Sequence, residues 1–403
     1  MNGKEIYRGS GTFTSQGNNL FGENGTSGLV NASPIASDII LPGLIATAIG
    51  PLANNGGPTL THLPVAGGPA INAGNNALIP AGVTTDQRGF ARISNGTVDI
   101  GAVEVGAPGS SNPIHSDFNG DGTDDLAGLG GAGNVYITTN LSAWTPVPGV
   151  LSKVVAGDFN GDGKADLAGL TGAGQVFYTT NLSTWTNIPG ALAQLVAGDF
   201  DGDGKADLAG LTGAGQIFYT TNRATWTNIP GALAQLVAGD FNGDGLDDLA
   251  GRTGAGQIFY TTNRATWTNI PGALAQLVAG DFNGDGLDDL AGRTGAGQIF
   301  YTTNRATWTN IPGALAQLVA GDFNGDGKAD LAGRAGAGYI YYTTNLASWI
   351  NVPGTLNSLV VGNFNGDAYG DLAGLTATGK VFYTTNLASW INIPGTLSAL
   401  AGH

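Results

Sequence analysis

The chain has 403 residues, with 69 Gly and no Cys, and only 11% of it is charged, against about 25% in ordinary soluble proteins. That composition excludes a charged helical bundle, a disulfide scaffold, thiolate catalysis and Cys-ligated zinc or iron–sulfur clusters. A net charge of −15, with just 15 Lys and Arg spread along the chain, argues against nucleic acid as a partner, and no apolar run is long enough for a transmembrane helix.

Residues 1–105 carry no repeat and no Trp, and are rich in Gly, Asn, Ala and Pro. Met1 to Gly17 lacks the apolar core of a signal peptide. The segments GPLANNGGPTLTHLPVAGGPAINAGNNALIPAG (50–82) and TDQRGFARISNGTVDIGAVEV (85–105) resemble the C-terminal end of bacterial surface proteins with the choice-of-anchor Q domain. The resemblance implies that 1–105 is the last rungs and cap of a right-handed parallel β-helix, in a chain that starts inside a longer gene product. Residues 106–113, GAPGSSNP, read as a flexible linker.

From residue 114 the sequence becomes periodic. Asp117, Asp158, Asp199, Asp240, Asp281 and Asp322 are each 41 residues apart, and Asn363 continues the series. Within a period, β-branched and aromatic runs alternate with Gly, Asn and Pro, which predicts four short strands. In the second copy these are Leu167 to Thr171, Val176 to Thr180, Trp185 to Ile188, which ends at Pro189-Gly190, and Leu195 to Phe200. Seven such units without a helical pattern predict an all-β, seven-bladed β-propeller over 114–403. Its C-terminal strand, 396–403, repeats the strand that elsewhere precedes the first Asp, and is expected to join the first blade and lock the ring.

The acid of this chain is localised, since 24 of its 30 Asp and Glu lie in or beside one nine-residue loop per period. Positions 1, 3, 5 and 9 offer side-chain oxygens and position 7 a backbone carbonyl, a pattern suited to a hard cation such as Ca²⁺. In chain order the candidate ligands are Asp117, Asn119, Asp121, Thr123 and Asp125, then Asp158, Asn160, Asp162, Lys164 and Asp166. The third loop offers Asp199, Asp201, Asp203, Lys205 and Asp207, and the fourth Asp240, Asn242, Asp244, Leu246 and Asp248. The fifth offers Asp281, Asn283, Asp285, Leu287 and Asp289, and the sixth Asp322, Asn324, Asp326, Lys328 and Asp330. The seventh, Asn363, Asn365, Asp367, Tyr369 and Asp371, loses a carboxylate and has Ala368 for the turn Gly, so it is expected to bind weakest. Six to seven Ca²⁺ per chain are expected, and six would bring the formal charge from −15 to about −3. The plainer alternative is that these Asp, Asn and Gly residues only form turns. Position 12 is Gly169 in place of Glu and strands flank the loop, so it is not an EF-hand.

The loop and period are similar to the FG-GAP or VCBS repeat. That resemblance covers 117–403 and implies a propeller with calcium between the first two strands of each blade, in a secreted or cell-surface protein. It does not imply one activity.

No nucleophile elbow, P-loop or zincin motif occurs, and His62, His115 and His403 lack suitably spaced partners, so no enzyme activity is expected of this chain. Each period has one Trp, and Arg223, Arg264 and Arg305 stand three positions before Trp226, Trp267 and Trp308, with Arg252, Arg293 and Arg334 in the preceding strand. Either the Trp residues pack between blades, or Trp and Arg form glycan sites. Because Leu replaces these Arg residues in other copies, their positions are expected to be at least partly exposed. The expected function is an extracellular or bacterial cell-surface, calcium-binding, multivalent binding or adhesion module for a glycan or other cell-surface ligand. The alternatives are a non-catalytic appendage of a polysaccharide-degrading β-helix enzyme and a protein-binding adhesin.

Overall fold

The 41-residue period folds into seven four-stranded antiparallel sheets arranged as a β-propeller. The computed structural model describes residues 116–401 apart from Ala368. In the N-terminal part it describes residues 13–15, 17–21, 32–33, 35–41, 45, 48–53, 61–65, 68–80, 82–83, 86–87, 92–93 and 97–104. The chain divides into two compact units, Met1–Pro108 and Gly109–His403.

Blade 2 shows the pattern. Its inner strand, Lys153–Gly157, leads into the acidic loop, and the second strand, Asp166–Leu170, leaves it; Gln175–Thr179 and Thr186–Ala191 follow outward. Blades 3 to 7 begin at Gln194, Gln235, Gln276, Gln317 and Ser358. The outer strand does not stop at Pro189 as its sequence suggested. It runs on to Ala191, because an edge strand needs no N–H from Pro on its open side, and a register shift at Gln175/Val176 with Gly190 at φ 141° absorbs the bend. The inner strand of blade 3 ends earlier than predicted, at Gly198, because Asp199 and Phe200 already belong to the loop.

Blade 1 consists of Leu126–Leu129, Asn134–Thr138 and Thr145–Val150, with Ala399–Leu400 as its inner strand. Ala399 and Leu400 pair with Leu129 and Gly128, so the C-terminus closes the ring.

The apolar core lies between blades, not within them. Val155, Phe159, Val176 and Ile188 of blade 2 pack with Leu192, Leu195 and Leu208 of blade 3, and the last seam joins Val360, Val381, Ile393 and Leu397 to Leu126 of blade 1. Such close packing explains some of the glycine. At Gly169 a Cβ would lie 2.4 Å from the Lys153 carbonyl of the neighbouring strand.

In the N-terminal unit the described residues do not support the expected β-helix end. They hold two parallel pairs of two residues each, Phe13–Thr14 with Ala32–Ser33 and Leu20–Phe21 with Ile39–Ile40, and an antiparallel pair, Ile49–Ala53 with Thr61–Pro64. Hydrogen bonds to carboxylates organise the segment after them. Asp99 accepts from the Asn72 N–H, Glu104 from the Asp99 N–H, Asp86 from the Glu104 N–H, and Arg92 pairs with Glu104. The distinctive motif residues of 85–105 thus serve as internal ties. His62 is exposed and bonds the Gly50 carbonyl at 2.7 Å; His115 and His403 lie outside the described residues.

Candidate metal centre and the groove beside it

Each acidic loop is wound around its first residue. In blade 1 the Asp117 carboxylate accepts from the backbone N–H of Asn119, Gly120, Asp121 and Gly122 at 2.6–3.2 Å. Gly120 and Gly122 have φ of 80° and 86°, which turns the chain tightly enough for those N–H groups to converge. Asn119 Oδ1 accepts from the Asp121 N–H and Asp121 Oδ1 from the Thr123 N–H, so the side chains of positions 1, 3 and 5 each cap a backbone N–H of the turn. The ninth residue, Asp125, stands just before the second strand and accepts the Phe118 N–H at 2.8 Å.

The ninth Asp is the chemically unusual member. Its backbone-bonded oxygen is satisfied, but in blades 3, 4 and 5 the other oxygen, Oδ1 of Asp207, Asp248 and Asp289, is buried without a hydrogen-bond partner. Burial pushes the carboxyls of Asp125, Asp166, Asp289, Asp330 and Asp371 up to about 7, and those of Asp207 and Asp248 up to about 8; neighbouring carboxylates add to the shift. Asp199 and Asp240 are raised by burial too. A cation at such a place would meet an oxygen that no hydrogen bond satisfies, beside which Asp207 and Asp289 have only a guanidinium at 3.6–4.0 Å. Asp199, Asp201 and Asp207 each place a carboxylate oxygen within 4.8 Å of the others, so the third loop has the donor set drawn together. These residues fit a hard divalent ion. The seventh loop is built differently: Asn363 puts an amide where the others put a carboxylate, and its Nδ2 donates to the Asp367 carbonyl.

The loops also join the blades. The position-8 N–H donates to the position-1 carbonyl of the preceding loop at all seven seams, from Ala165 to Asp117 through Gly370 to Asp322 and, across the closure, Asp124 to Asn363. Where position 8 is Asp247 or Asp288, the carboxylate also accepts the N–H of Asp199 or Asp240. A loop that distorts therefore disturbs two blades.

The Trp residues pack across seams. Trp226, Trp267 and Trp308 lie against Gly190, Gly231 and Gly272 of the preceding outer strands, and Trp308 Nε1 donates to the Pro271 carbonyl at 2.9 Å. Trp144 lies against Gly395 across the closure. Trp308→Ala is expected to destabilise the chain by about 2–3 kcal/mol through lost seam packing, measured by urea unfolding.

Arg223, Arg264 and Arg305 point at the acidic loops of their own blades. Arg223 Nη1 donates to the Ala206 carbonyl at 3.0 Å and lies 3.6 Å from Asp207 Oδ1, while Arg305 lies 4.0 Å from Asp289 Oδ1. Arg264 donates to the Asp247 carbonyl and covers the Tyr219 ring of blade 3, its guanidinium 5.9 Å from the centroid. Their α-carbons sit at φ near 52°, in a turn fixed by the preceding Asn side chain, so the side chain is thrown back toward the loop. Proximity to the ninth Asp was not legible in the repeat, because 16 residues separate Arg223 from Asp207 and only the hairpin brings them together.

Between blades 2 and 3 a groove of about 440 Å³ opens beside these groups, lined by Asn160, Tyr178, Thr180, Asn181, Thr184, Thr186, Lys205, Arg223 and Phe159. Its wall is mostly hydroxyl, amide and cation, with one phenol and Phe159. No helix of the described residues is long and apolar enough to cross a membrane.

Residues 120–281 match the tectonin domain family and residues 314–345 match the FG-GAP repeat. Comparison with curated proteins gives no match. The fold is similar to that of BBS1N in complex with ARL6DN, in a crystal soaked with lead (13% identity, TM-score 0.51, covering 65% of this chain and 87% of that one). A mercury-soaked crystal of the same complex gives 13% and 0.51 over 70% and 90%. Virginiamycin B lyase from Staphylococcus aureus aligns at 14% identity with a TM-score of 0.43 over 70% and 88%.

Proposed function

We propose that this chain is a non-catalytic, extracellular or cell-surface binding module in which calcium ions in the acidic loops staple the blades and a polar ligand, a glycan, occupies grooves between blades at the loop end. The observation that carries the reading is the groove between blades 2 and 3. It is an open groove, rich in hydroxyl and amide groups and bordered by Lys205 and Arg223, which supply donors and acceptors for a polyhydroxylated ligand. The same residue types recur one period later at Tyr219, Thr221, Asn222, Thr225, Thr227 and Arg264, with Leu246 in place of Lys205, so the chain can present related surfaces more than once. Calcium fits as a structural ion, since the loop carbonyl at position 1 is shared with the next blade. Its own ligands would be Asp or Asn side chains at positions 1, 3, 5 and 9 and the position-7 carbonyl.

A glycan array probed with the full chain, in calcium and in chelator, tests this. Binding in calcium is expected, weakened about tenfold by Lys205→Leu with Arg223→Leu, which installs residues that other blades carry at these positions. A folded, calcium-loaded chain that binds no glycan would sink the reading. The weight would then pass to a protein partner, the second reading, whose support is that the similarly folded BBS1N was crystallised in complex with ARL6DN.

A further inference from the structure

The second strands of blades 4, 5 and 6 end in Arg252, Arg293 and Arg334, where blades 1, 2, 3 and 7 have the buried Leu129, Leu170, Leu211 and Leu375. The repeat placed these Arg residues with the Trp and Arg223 set, but the structure separates them. Asp248 begins the strand that Arg252 ends, so this second Arg set lies at the other end of the blade from the acidic loops.

Each of the three stands opposite a Gln of the inner strand: Gln235, Gln276 and Gln317. Gln235 spans the seam, its Nε2 donating to the Leu277 carbonyl at 3.0 Å and its Oε1 accepting from the Leu277 N–H at 3.1 Å. The same Oε1 accepts from Arg252 Nε at 3.1 Å, and Gln276 holds Arg293 Nε in the same way at 3.0 Å. The Gln ladder thus fixes two guanidiniums on neighbouring blades side by side. Gln317 bridges to Leu359 in turn, yet Arg334 Nε is buried with no hydrogen-bond partner.

Among the described residues of the propeller, nothing of opposite charge balances this group. All 24 propeller carboxylates belong to the acidic loops at the far end, and none of the three Arg residues forms an ion pair among the described residues. The positive charges act on one another: burial, then the charges of Arg334 and Arg252, lower the pKa of Arg293. Lys153, first residue of the blade 2 inner strand, adds a cation at the same end. Folding does not require these charges, since Leu fills the position in four blades. Three adjacent guanidiniums, one with an unmet donor, match an anion that accepts several N–H bonds at once.

We propose that Arg252, Arg293 and Arg334 form a binding site for a tetrahedral oxyanion group of the sulfate or phosphate type, on the end of the propeller opposite the acidic loops. The group comes either as a free inorganic ion or as the sulfate of an anionic polysaccharide, and the two sources share this recognition chemistry. The chain's net charge of −15 repels such anions elsewhere, so this end is where they are tolerated.

The test is isothermal titration of the full chain at constant ionic strength, chloride balancing the added anion, with sodium sulfate and separately with a heparin-derived hexasaccharide. Saturable sulfate binding is expected, weakened about tenfold or more in the triple variant Arg252→Leu, Arg293→Leu, Arg334→Leu. Leu is native to four blades at this position, and circular dichroism checks the fold; should the triple variant not fold, Arg293→Leu alone is expected to weaken binding several-fold. Hexasaccharide binding about tenfold tighter than sulfate identifies the polymer as the source, and equal or weaker binding the free ion. No saturable binding of either probe, or binding unchanged in folded variants, overturns the proposal.

Discussion

Chelation of calcium is expected to drop the melting temperature of the chain by more than about 10 °C. The reason is multiplicity. At free calcium one hundred times its Kd, each loop would add about 2.7 kcal/mol, and six loops on the order of 15 kcal/mol, comparable to the whole stability of an ordinary domain. The pH dependence gives the prediction a sign. The ninth carboxylates have folded-state pKa values raised to about 7–8 from an ordinary 3.8, so without metal the fold binds more protons than the unfolded chain. Their contribution to stability is present in full below about pH 4 and is lost as pH rises through 7 to 8. Calcium needs the ionised form, so its binding releases protons and strengthens over the same interval. The melting temperatures with calcium and with chelator should therefore draw apart between pH 6 and pH 8. Calorimetry on metal-stripped protein decides it. Coincident melts with and without calcium at pH 8 would remove the ion from this account and leave the loops as turns.

Deleting 396–403 is expected to be the most damaging short truncation in the propeller. Ala399 and Leu400 supply the inner strand of blade 1, the Ser398 hydroxyl donates to the Leu129 and Gly130 carbonyls, and the Ala401 N–H donates to the Ala127 carbonyl. Leu397 is buried in the seam between blades 7 and 1. Without this segment the strand Leu126–Leu129, buried throughout, keeps one unpaired edge. Loss of the backbone bonds and of Leu397 burial sums to on the order of 5 kcal/mol. At about 2–4 °C per kcal/mol for a large domain, the melting temperature should fall by at least about 10 °C. The exposed edge should also promote association, visible by size-exclusion chromatography. An unchanged melt and a monomeric profile would mean that the ring is held without its terminal strand.

Much of the propeller was legible because repetition averages out local ambiguity. One run such as Gln175–Thr179 could be a strand in many folds; seven equivalent runs, six preceded by Gly-Ala-Gly and all followed by Pro-Gly, admit few architectures. Strand ends were less legible, as at Ala191, since a bulge around Pro189-Gly190 depends on the strand being an edge, which is a property of the sheet. The N-terminal reading rested on resemblance without internal repetition, and the described residues there form only short pairs.

In the candidate site the division follows the range of the interactions. Sequence alone determined the period, the number of blades and the tight turn of the acidic loop, because a nine-residue turn with oxygens at alternate positions is a local object whose geometry its own Gly and Asp residues dictate. Only the tertiary structure decided what lies between blades. It packed the Trp indoles on glycines of the preceding blade, brought Arg223 to Asp207 and opened the groove beside it. It also sent Arg252, Arg293 and Arg334 to the opposite end, aligned by a ladder of Gln side chains. Those arrangements arise from contacts between residues a hairpin or a whole period apart, and their physical origin is burial at the seams, which no single repeat contains.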